Sequence, residues 1–173
     1  MEKMTHQEIV SRQKDACQKA RLPFCAVLNN IRSLYNVGSI FRTADGAGLE
    51  KLWLCGITGC PPKAMITKTA LGAEDVLPWE YREDAKALIR ELKIQGYSIV
   101  LLEQIKESIP YQDFCPKEKI CLVLGNEISG INDELLDLCD TALEIEMRGK
   151  KNSLNVSVAF GIAAYHIATI LRK

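Results

Sequence analysis

The sequence has few aromatic residues and no excess of charge of either sign. Aromatic residues make up 6% of the 173 residues, so a stacking platform for single-stranded bases is not evident. The 22 basic and 22 acidic residues cancel, which removes the overall positive charge typical of nucleic-acid-binding proteins. Any basic surface must therefore be local, and the candidates are Lys63 with Lys68 and Arg148 with Lys150 and Lys151.

The spacing of histidine and cysteine does not favour a metal site. The two histidines lie near opposite ends of the chain, and the pairs Cys55/Cys60 and Cys115/Cys121 lack the short CxxC spacing of zinc ligands. The seven cysteines are an odd number, and the N-terminus is polar, without an apolar signal segment. We therefore expect no bound metal, cysteines in the core and a cytoplasmic protein.

Long apolar runs are also missing. The most apolar stretch, residues 156–171, is interrupted by Ser157, His166 and Thr169 and is shorter than the roughly 18 apolar residues that a membrane-spanning helix needs. With 47% hydrophobic and 25% charged residues, the composition is that of a globular protein. We expect residues 1–173 to form a single domain that does not cross a membrane.

Short apolar runs alternate with segments of helical composition along the chain. The runs predict strands at 24–28, 52–57, 97–102, 120–124 and 142–147. The helical segments are predicted at about 1–22, 36–48, 82–95, 132–138 and 153–171. Continuous apolar strands between helices predict an α/β fold with a mostly parallel sheet and helices on both faces.

Two segments do not follow this pattern. Residues 63–80 show no clear periodicity, and we expect an irregular loop over the site. The last predicted helix is apolar on more than one face, more than one sheet can bury. A homodimer that covers the remaining face is the simplest explanation.

Three polar segments follow predicted strands, at residues 29–42, 125–130 and 148–155. Open α/β sheets place ligand sites where strands end, so the three segments predict one composite pocket. Neither a Lys-Ser/Thr pair after Gly130 nor a GxGxxG pattern opening a helix is present, which disfavours nucleotide triphosphate or nicotinamide chemistry.

Several side chains in these segments have a structural as well as a functional explanation. Asn36 has the side chain of a helix N-cap, and either Ser153 or Asn155 could cap the last helix, leaving the other to face the pocket. Arg42 lies among apolar helix residues, where a buried charge needs a partner. A salt bridge to Glu127 is the structural explanation, and an anion clamp or a catalytic group is the functional one.

The three segments resemble the three motifs of the SpoU (TrmH-like) family of RNA ribose 2'-O-methyltransferases, within the SPOUT superfamily. The first contains Asn30, Arg32, Asn36, Gly38, Arg42, Thr43 and Ala44 at the motif spacing. The second contains Leu124, Gly125, Asn126, Glu127 and Gly130, and the third runs from Ser153 through Leu154 and Asn155 to Ala159. The similarity covers residues 24–172 and includes Leu102-Glu103-Gln104.

This resemblance implies a fold, a cofactor and a reaction. It implies a deep trefoil knot in a cofactor-binding part at about 120–173, an obligate homodimer, and transfer of a methyl group from S-adenosylmethionine to a ribose 2'-hydroxyl of tRNA or rRNA. The implied catalytic residues are Arg42, Asn36, Glu127, Ser153 and Asn155. The implied cofactor-binding residues are Gly125, Ile145 and Leu154.

Alternatives remain at this point. Arg42 could accept the hydroxyl proton, or it could orient an RNA phosphate and stabilise the developing alkoxide. A knotted methyltransferase acting on a base nitrogen or a small molecule, and a non-catalytic RNA-binding module of the same fold, are the competing functions.

Overall fold

The computed structural model describes residues 3–17, 20–116 and 118–173, which contain one sheet of seven strands. The strands are β1 Leu22–Asn29, β2 Leu49–Cys55, β3 Trp79–Arg82, β4 Ser98–Leu102, β5 Ile109–Pro110, β6 Ile120–Leu124 and β7 Thr141–Glu144. Their order across the sheet is β3-β2-β1-β6-β4-β7-β5, and all six neighbouring pairs are parallel. The predicted α/β class with a mostly parallel sheet is confirmed.

Helices cover both faces of this sheet. They are α1 His6–Cys17, α2 Leu34–Ala47, α3 Ala64–Ala70, α4 Ala73–Val76, α5 Ala85–Ile94, α6 Asp133–Leu136 and α7 Val156–Leu171. Along β1, Phe24, Ala26 and Leu28 pack into the apolar cluster that also contains residues of α2 and α7, whereas Cys25 and Val27 pack with α5. Both faces of the strand are buried, which explains its continuous apolar run.

The ends of α2 show how local sequence sets up the site. Ser33 is the N-cap, and its hydroxyl accepts from the Asn36 N–H at 3.3 Å. The predicted N-cap, Asn36, lies instead in the first turn, so that prediction is wrong by three residues. Because Ser33 satisfies the free backbone N–H, the Asn36 side chain is available for other contacts. Gly48, with φ of 79°, ends the helix in the left-handed region.

One predicted loop and one predicted helix boundary are wrong. The segment 63–80 is not an irregular loop, because it forms α3, α4 and the beginning of β3. The N-terminal helix predicted at about 1–22 ends at Cys17 in the described residues, and Leu22 already begins β1. Residues 1, 2, 18 and 19 of that prediction lie outside the described part of the chain, and the proposed division of the domain stays a prediction.

The short helix α3 is held tightly against α2. A Cβ atom added at Gly38 would lie 2.2 Å from the Thr69 hydroxyl and 2.3 Å from the Ile66 carbonyl oxygen. The Thr69 hydroxyl also donates to the Tyr35 carbonyl at 3.0 Å. This close packing, rather than intrinsic helix propensity, stabilises α3, in a segment whose apolar residues show no helical periodicity.

The chain reverses direction across the sheet at its centre. It builds outward from β1 through β2 to β3, then returns to place β4 two positions beyond β1 on the opposite side, and β6 later enters between them. Such a reversal of strand order is where α/β sheets bind ligands. The trefoil knot stays a prediction with which this order is compatible. None of the helices in the described residues has the length and apolar content that a membrane crossing requires.

Candidate active site

A cavity of about 620 Å³ opens where β4, β6 and β7 end. Seven of the eight residues predicted for the site line it, and six of these come from the three polar segments. The seven are Asn36, Gly125, Glu127, Ile145, Ser153, Leu154 and Asn155. The structure therefore brings together segments more than a hundred residues apart in the chain, as the strand-end argument predicts.

Two amide groups and one carboxylate connect the three segments. The Asn155 side-chain nitrogen donates to the Asn36 oxygen at 3.0 Å, and the Asn36 nitrogen donates to Glu127 Oε1 at 3.0 Å. Each amide uses its donor and its acceptor in a defined direction. This hydrogen-bonded row, Asn155–Asn36–Glu127, therefore holds α2, the loop after β6 and the start of α7 in register at the rim of the cavity.

Glu127 is held by backbone as well as by Asn36. Its two carboxylate oxygens accept the N–H groups of Arg32 and Ser33 at 2.9 and 3.1 Å. Partial burial raises the pKa of Glu127, but these backbone hydrogen bonds and the one from Asn36 outweigh it and leave the pKa below the ordinary value. Glu127 is thus ionised at neutral pH and engaged with three donors, which favours an organising role over that of a proton acceptor.

The third segment supplies both a helix cap and a free hydroxyl. Asn155 is the N-cap of α7, and its side-chain oxygen accepts from the Ser157 N–H at 2.9 Å and from the Ser157 hydroxyl at 2.7 Å. The Ser153 hydroxyl lies at the exposed rim, with a long contact of 3.5 Å to Asn152. One residue caps and the other faces the pocket, as predicted, but the capping residue also contacts Asn36.

Arg42 is the predicted site residue that does not line the cavity. It is exposed on α2, although its neighbours Ile40, Phe41 and Ala44 are fully buried. The suggested salt bridge to Glu127 is wrong, because Glu127 binds Asn36 and two backbone N–H groups instead. Within the described residues, the Arg42 guanidinium makes no ion pair.

Two further side chains shape the site, although the sequence patterns did not single them out. The Asn126 amide nitrogen donates to the Asn30 carbonyl at 2.8 Å, and its oxygen accepts the N–H groups of Ile128 and Ser129. The Gln104 amide donates to the Asn152 carbonyl at 2.9 Å. In the sequence, these two residues were marked only by their positions within the motif segments. Their contacts could not be predicted, because they depend on how loops that are distant in sequence meet.

The cavity has the size and lining that a nucleoside-sized ligand needs. Its inner wall is apolar, with Leu102, Leu143 and Ile145 among the lining residues, and its rim carries the polar row described above. A cavity of this volume that combines an apolar wall with oriented polar groups is typical of small-molecule sites. In the described residues, no group of three or more His, Cys, Asp or Glu side chains could hold a metal ion.

Comparison with known proteins identifies the family. The model of the SpoU rRNA Methylase family matches residues 23–165. The chain belongs to the SpoU methylase family. All three polar segments lie within the matched residues, so the resemblance stated from the motifs is confirmed over most of the chain.

Relatives in the SpoU family act on different RNA molecules. The tRNA (guanosine(18)-2'-O)-methyltransferase of Aquifex aeolicus is 28% identical over 95% of this chain and 78% of its own length. The 23S rRNA (guanosine(2553)-2'-O)-methyltransferase RlmP of Bacillus subtilis is 33% identical over 76% of this chain and 52% of its own length. The chain thus spans about half of the rRNA enzyme and most of the tRNA enzyme.

A similar solved structure is that of an rRNA methyltransferase with bound AdoMet. The AdoMet-bound rRNA methyltransferase from Sinorhizobium meliloti superposes with a TM-score of 0.78, at 26% identity, over 83% of this chain and 54% of that one. The cavity at the ends of β4, β6 and β7 has the volume that a molecule of that size needs.

Proposed function

We propose that this protein transfers a methyl group from S-adenosylmethionine to a ribose 2'-hydroxyl of tRNA or rRNA. The observation that carries the proposal is the Asn155–Asn36–Glu127 row at the rim of a nucleoside-sized cavity. It joins the three family motifs at one point, next to a free serine hydroxyl. A polar rim beside an apolar cavity suits a reaction between a bound cofactor and a hydroxyl that arrives from outside.

The proposed cofactor site consists of two residues that follow strands and one that precedes the last helix. Gly125 follows β6, Ile145 follows β7 and Leu154 precedes α7, and all three line the cavity. When bound there, S-adenosylmethionine supplies an electrophilic methyl group on a sulfonium. The protein has to hold the acceptor hydroxyl in line with that methyl group and exclude competing water.

The acceptor hydroxyl is proposed to bind Ser153, whose own hydroxyl is exposed at the rim. Glu127 is a poor proton acceptor because three donors already occupy its oxygens. Arg42 is exposed, and arginine side chains stay protonated at neutral pH, so we assign it to orienting an RNA phosphate and to stabilising negative charge that develops on the ribose oxygen. The proton of the ribose hydroxyl is proposed to pass to solvent water at the exposed rim as the methyl group leaves the sulfonium.

Local basic groups provide a surface for RNA despite the absence of net charge. Arg32 is exposed and lines the cavity, and Arg148, Lys150 and Lys151 are exposed on the loop that leads to Ser153. Contacts of such groups to phosphates position a nucleic acid without reading its sequence. They are therefore expected to bring the ribose to the rim, while shape and 2'-hydroxyl contacts select the RNA.

A homodimer is part of the same proposal. One face of α7 packs inside the chain through Phe160, Ala163 and Ile167, whereas Val158 and Tyr165 on another face are about half exposed. Apolar side chains left exposed in a line on a terminal helix mark a protein interface. A second copy of the chain is the partner that we propose for this face.

The experiment is a methyl-transfer assay with purified protein, labelled S-adenosylmethionine and unmodified tRNA and rRNA fractions. We expect label in RNA, and alkali-resistant dinucleotides after alkaline digestion, because a 2'-O-methyl group blocks cleavage at the modified position. Mapping of that dinucleotide then decides between tRNA and rRNA and identifies the nucleotide.

The competing functions give different results. Label that appears in a base, with every dinucleotide cleaved, would mean that a base nitrogen is the acceptor. No label in RNA, together with no heat of binding for S-adenosylmethionine in calorimetry, would indicate a non-catalytic RNA-binding module.

A further inference from the structure

Glu103 places a carboxylate in the cavity that the proposed mechanism does not use. It is the first residue after β4, and β4 lies between β6 and β7, whose ends supply Gly125 and Ile145. Its backbone N–H donates to the Leu143 carbonyl at 3.1 Å, which continues the β4–β7 pairing to the cavity edge. Glu103 lines this cavity and also the smaller neighbouring one, which Gly130 lines too.

The turn after β6 leaves room for this carboxylate. A Cβ atom added at Gly130 would lie 2.7 Å from Glu103 Oε2. Gly130 also has φ of +66°, a conformation that residues with side chains rarely adopt. Glycine at this position therefore lets the side chain of Glu103 approach the backbone of the Asn126–Gly130 turn.

One oxygen of Glu103 is available to a ligand. Oε1 accepts the Gln104 N–H at 3.0 Å, whereas no donor among the described residues lies within hydrogen-bond distance of Oε2. Of the two other carboxylates that line the cavity, Glu127 accepts from three donors, whereas Glu144 accepts from the Ser108 hydroxyl at 2.9 Å through Oε2 alone. A ligand donor in the cavity thus has Glu103, at the end of β4, as an acidic partner with one unengaged oxygen.

The place of Glu103 in the cavity indicates which donor that is. The apolar wall of Leu102, Leu143 and Ile145 suits a purine ring, and the transferred methyl group must face the rim at Asn36 and Asn155. In an adenosyl cofactor the ribose connects the purine to the sulfonium. A carboxylate at a strand end next to the apolar wall is then placed for hydroxyl groups, as with the acidic residue that binds ribose in dinucleotide folds.

We propose that Glu103 accepts hydrogen bonds from the ribose hydroxyls of S-adenosylmethionine and thereby selects a ribonucleoside cofactor. This inference rests on the proposed function, because it assigns one residue of the same cavity. Gln104 next to it holds the loop that carries Ser153, so the strand end of β4 supports both the cofactor and the acceptor side of the site.

The test is calorimetry of cofactor analogues with the wild-type protein and Glu103→Ala. S-adenosylhomocysteine carries both the ribose hydroxyls and the ammonium of an amino-acid group. 5'-Methylthioadenosine keeps the ribose hydroxyls but lacks that ammonium, and its 2',3'-dideoxy form lacks the hydroxyls as well. We expect Glu103→Ala to weaken both ribose-containing ligands by at least about tenfold, since a hydrogen bond to a charged group is lost. The dideoxy ligand should bind wild type and variant equally.

Glu107→Ala is the matched control, because Glu107 is an exposed glutamate of the same loop that does not line the cavity, and it should leave all three affinities unchanged. Weaker binding of S-adenosylhomocysteine with unchanged binding of 5'-methylthioadenosine would assign Glu103 to the ammonium and overturn the proposal. Unchanged affinity for both would also overturn it. If wild type binds none of the ligands, the proposed function fails first and the assignment with it.

Discussion

The geometry of single side chains at the rim depends on two asparagine amides whose ends are not equivalent. Asn36 donates to Glu127 and accepts from Asn155, and Asn155 donates to Asn36 while its oxygen caps α7. An amide offers a donor and an acceptor at a fixed separation, which neither a carboxylate nor a hydroxyl reproduces. Each partner therefore fixes the orientation of the next, and Glu127 is the acceptor at which the row ends.

Substituting Glu127 by Gln should destabilise the protein at neutral pH and do so less in acid. The pKa of Glu127 is lowered in the folded protein, so ionised Glu127 contributes its full stability above the unfolded value of about 4.3. That contribution is lost as the pH falls through the lowered folded value. Urea unfolding of wild type and Glu127→Gln between pH 7 and pH 3 measures the difference.

Glu83→Gln is the control for this titration, since Glu83 is an exposed glutamate between β3 and α5, far along the sheet from the cavity. It should be as stable as wild type throughout. A stability gap between wild type and Glu127→Gln that stays constant down to pH 3 would contradict the role given to the ionised carboxylate.

Arg42→Ala should lower the rate of methyl transfer without weakening cofactor binding. Arg42 is exposed and does not line the cavity, so its proposed action is on RNA and on developing charge. Loss of one such electrostatic group costs about 100-fold or more in rate.

Single-turnover rates at saturating RNA, together with calorimetry of S-adenosylhomocysteine, separate the effect on methyl transfer from the effect on cofactor binding. Arg90→Ala, on the exposed face of α5, is the control. Weaker cofactor binding would place Arg42 in the cofactor site instead.

Arg42 also shows where reasoning from residue patterns failed. Its buried neighbours suggested that it was buried too, yet Ile40 and Ala44 lie two positions away on either side, about 200° around a helix. Phe41 is fully buried and Arg42 is exposed. Motif spacing identified the residue, whereas its exposure and its lack of contact with Glu127 follow from the way in which α2 packs on the sheet.

At the scale of helices and strands, predictability followed the strength of the apolar pattern. β1 and β6 are buried on both faces, so their continuous apolar runs were sufficient to find them. α3 and α4 have seven and four residues, too few to show a period, and they are ordered by tertiary contacts such as the one at Gly38. The polar segments were located correctly because they follow the well-predicted strands.

The start of α7 allows the capping role of Asn155 to be separated from its role at the rim. Asn155→Asp keeps an oxygen for the Ser157 N–H but loses the donor to Asn36, so stability should be close to wild type while methyl transfer falls. Asn155→Ala loses both and should cost about 1 kcal/mol of stability, the usual value of an N-cap. Thermal unfolding and single-turnover assays on both variants provide the measurement.

Ser33→Ala is the matched control, because Ser33 caps α2 in the same way but has no contact with Asn155. It should lower stability by a similar amount. Full activity of Asn155→Asp would show that the hydrogen bond between Asn155 and Asn36 is not needed for the reaction.

At the scale of the whole molecule, the site exists because β6 enters the sheet between β1 and β4. That insertion places the loop after β6 beside the loop after β1, so that Glu127 reaches the N–H groups of Arg32 and Ser33. Apolar runs predict that strands exist but carry no information on which strands are neighbours. The strand order therefore had to come from the structure.

The exposed face of α7 predicts the assembly state. Val158 is 51% and Tyr165 is 47% exposed, and they lie seven residues apart, on the same side of the helix. We expect wild type to sediment as a dimer and Tyr165→Glu to sediment as a monomer, because a buried unpaired charge is strongly unfavourable at an interface. Ile94→Glu, at an 87% exposed position on α5, should leave the dimer intact. A monomeric wild type at micromolar concentration would mean that this face of α7 binds something other than a second copy of the chain.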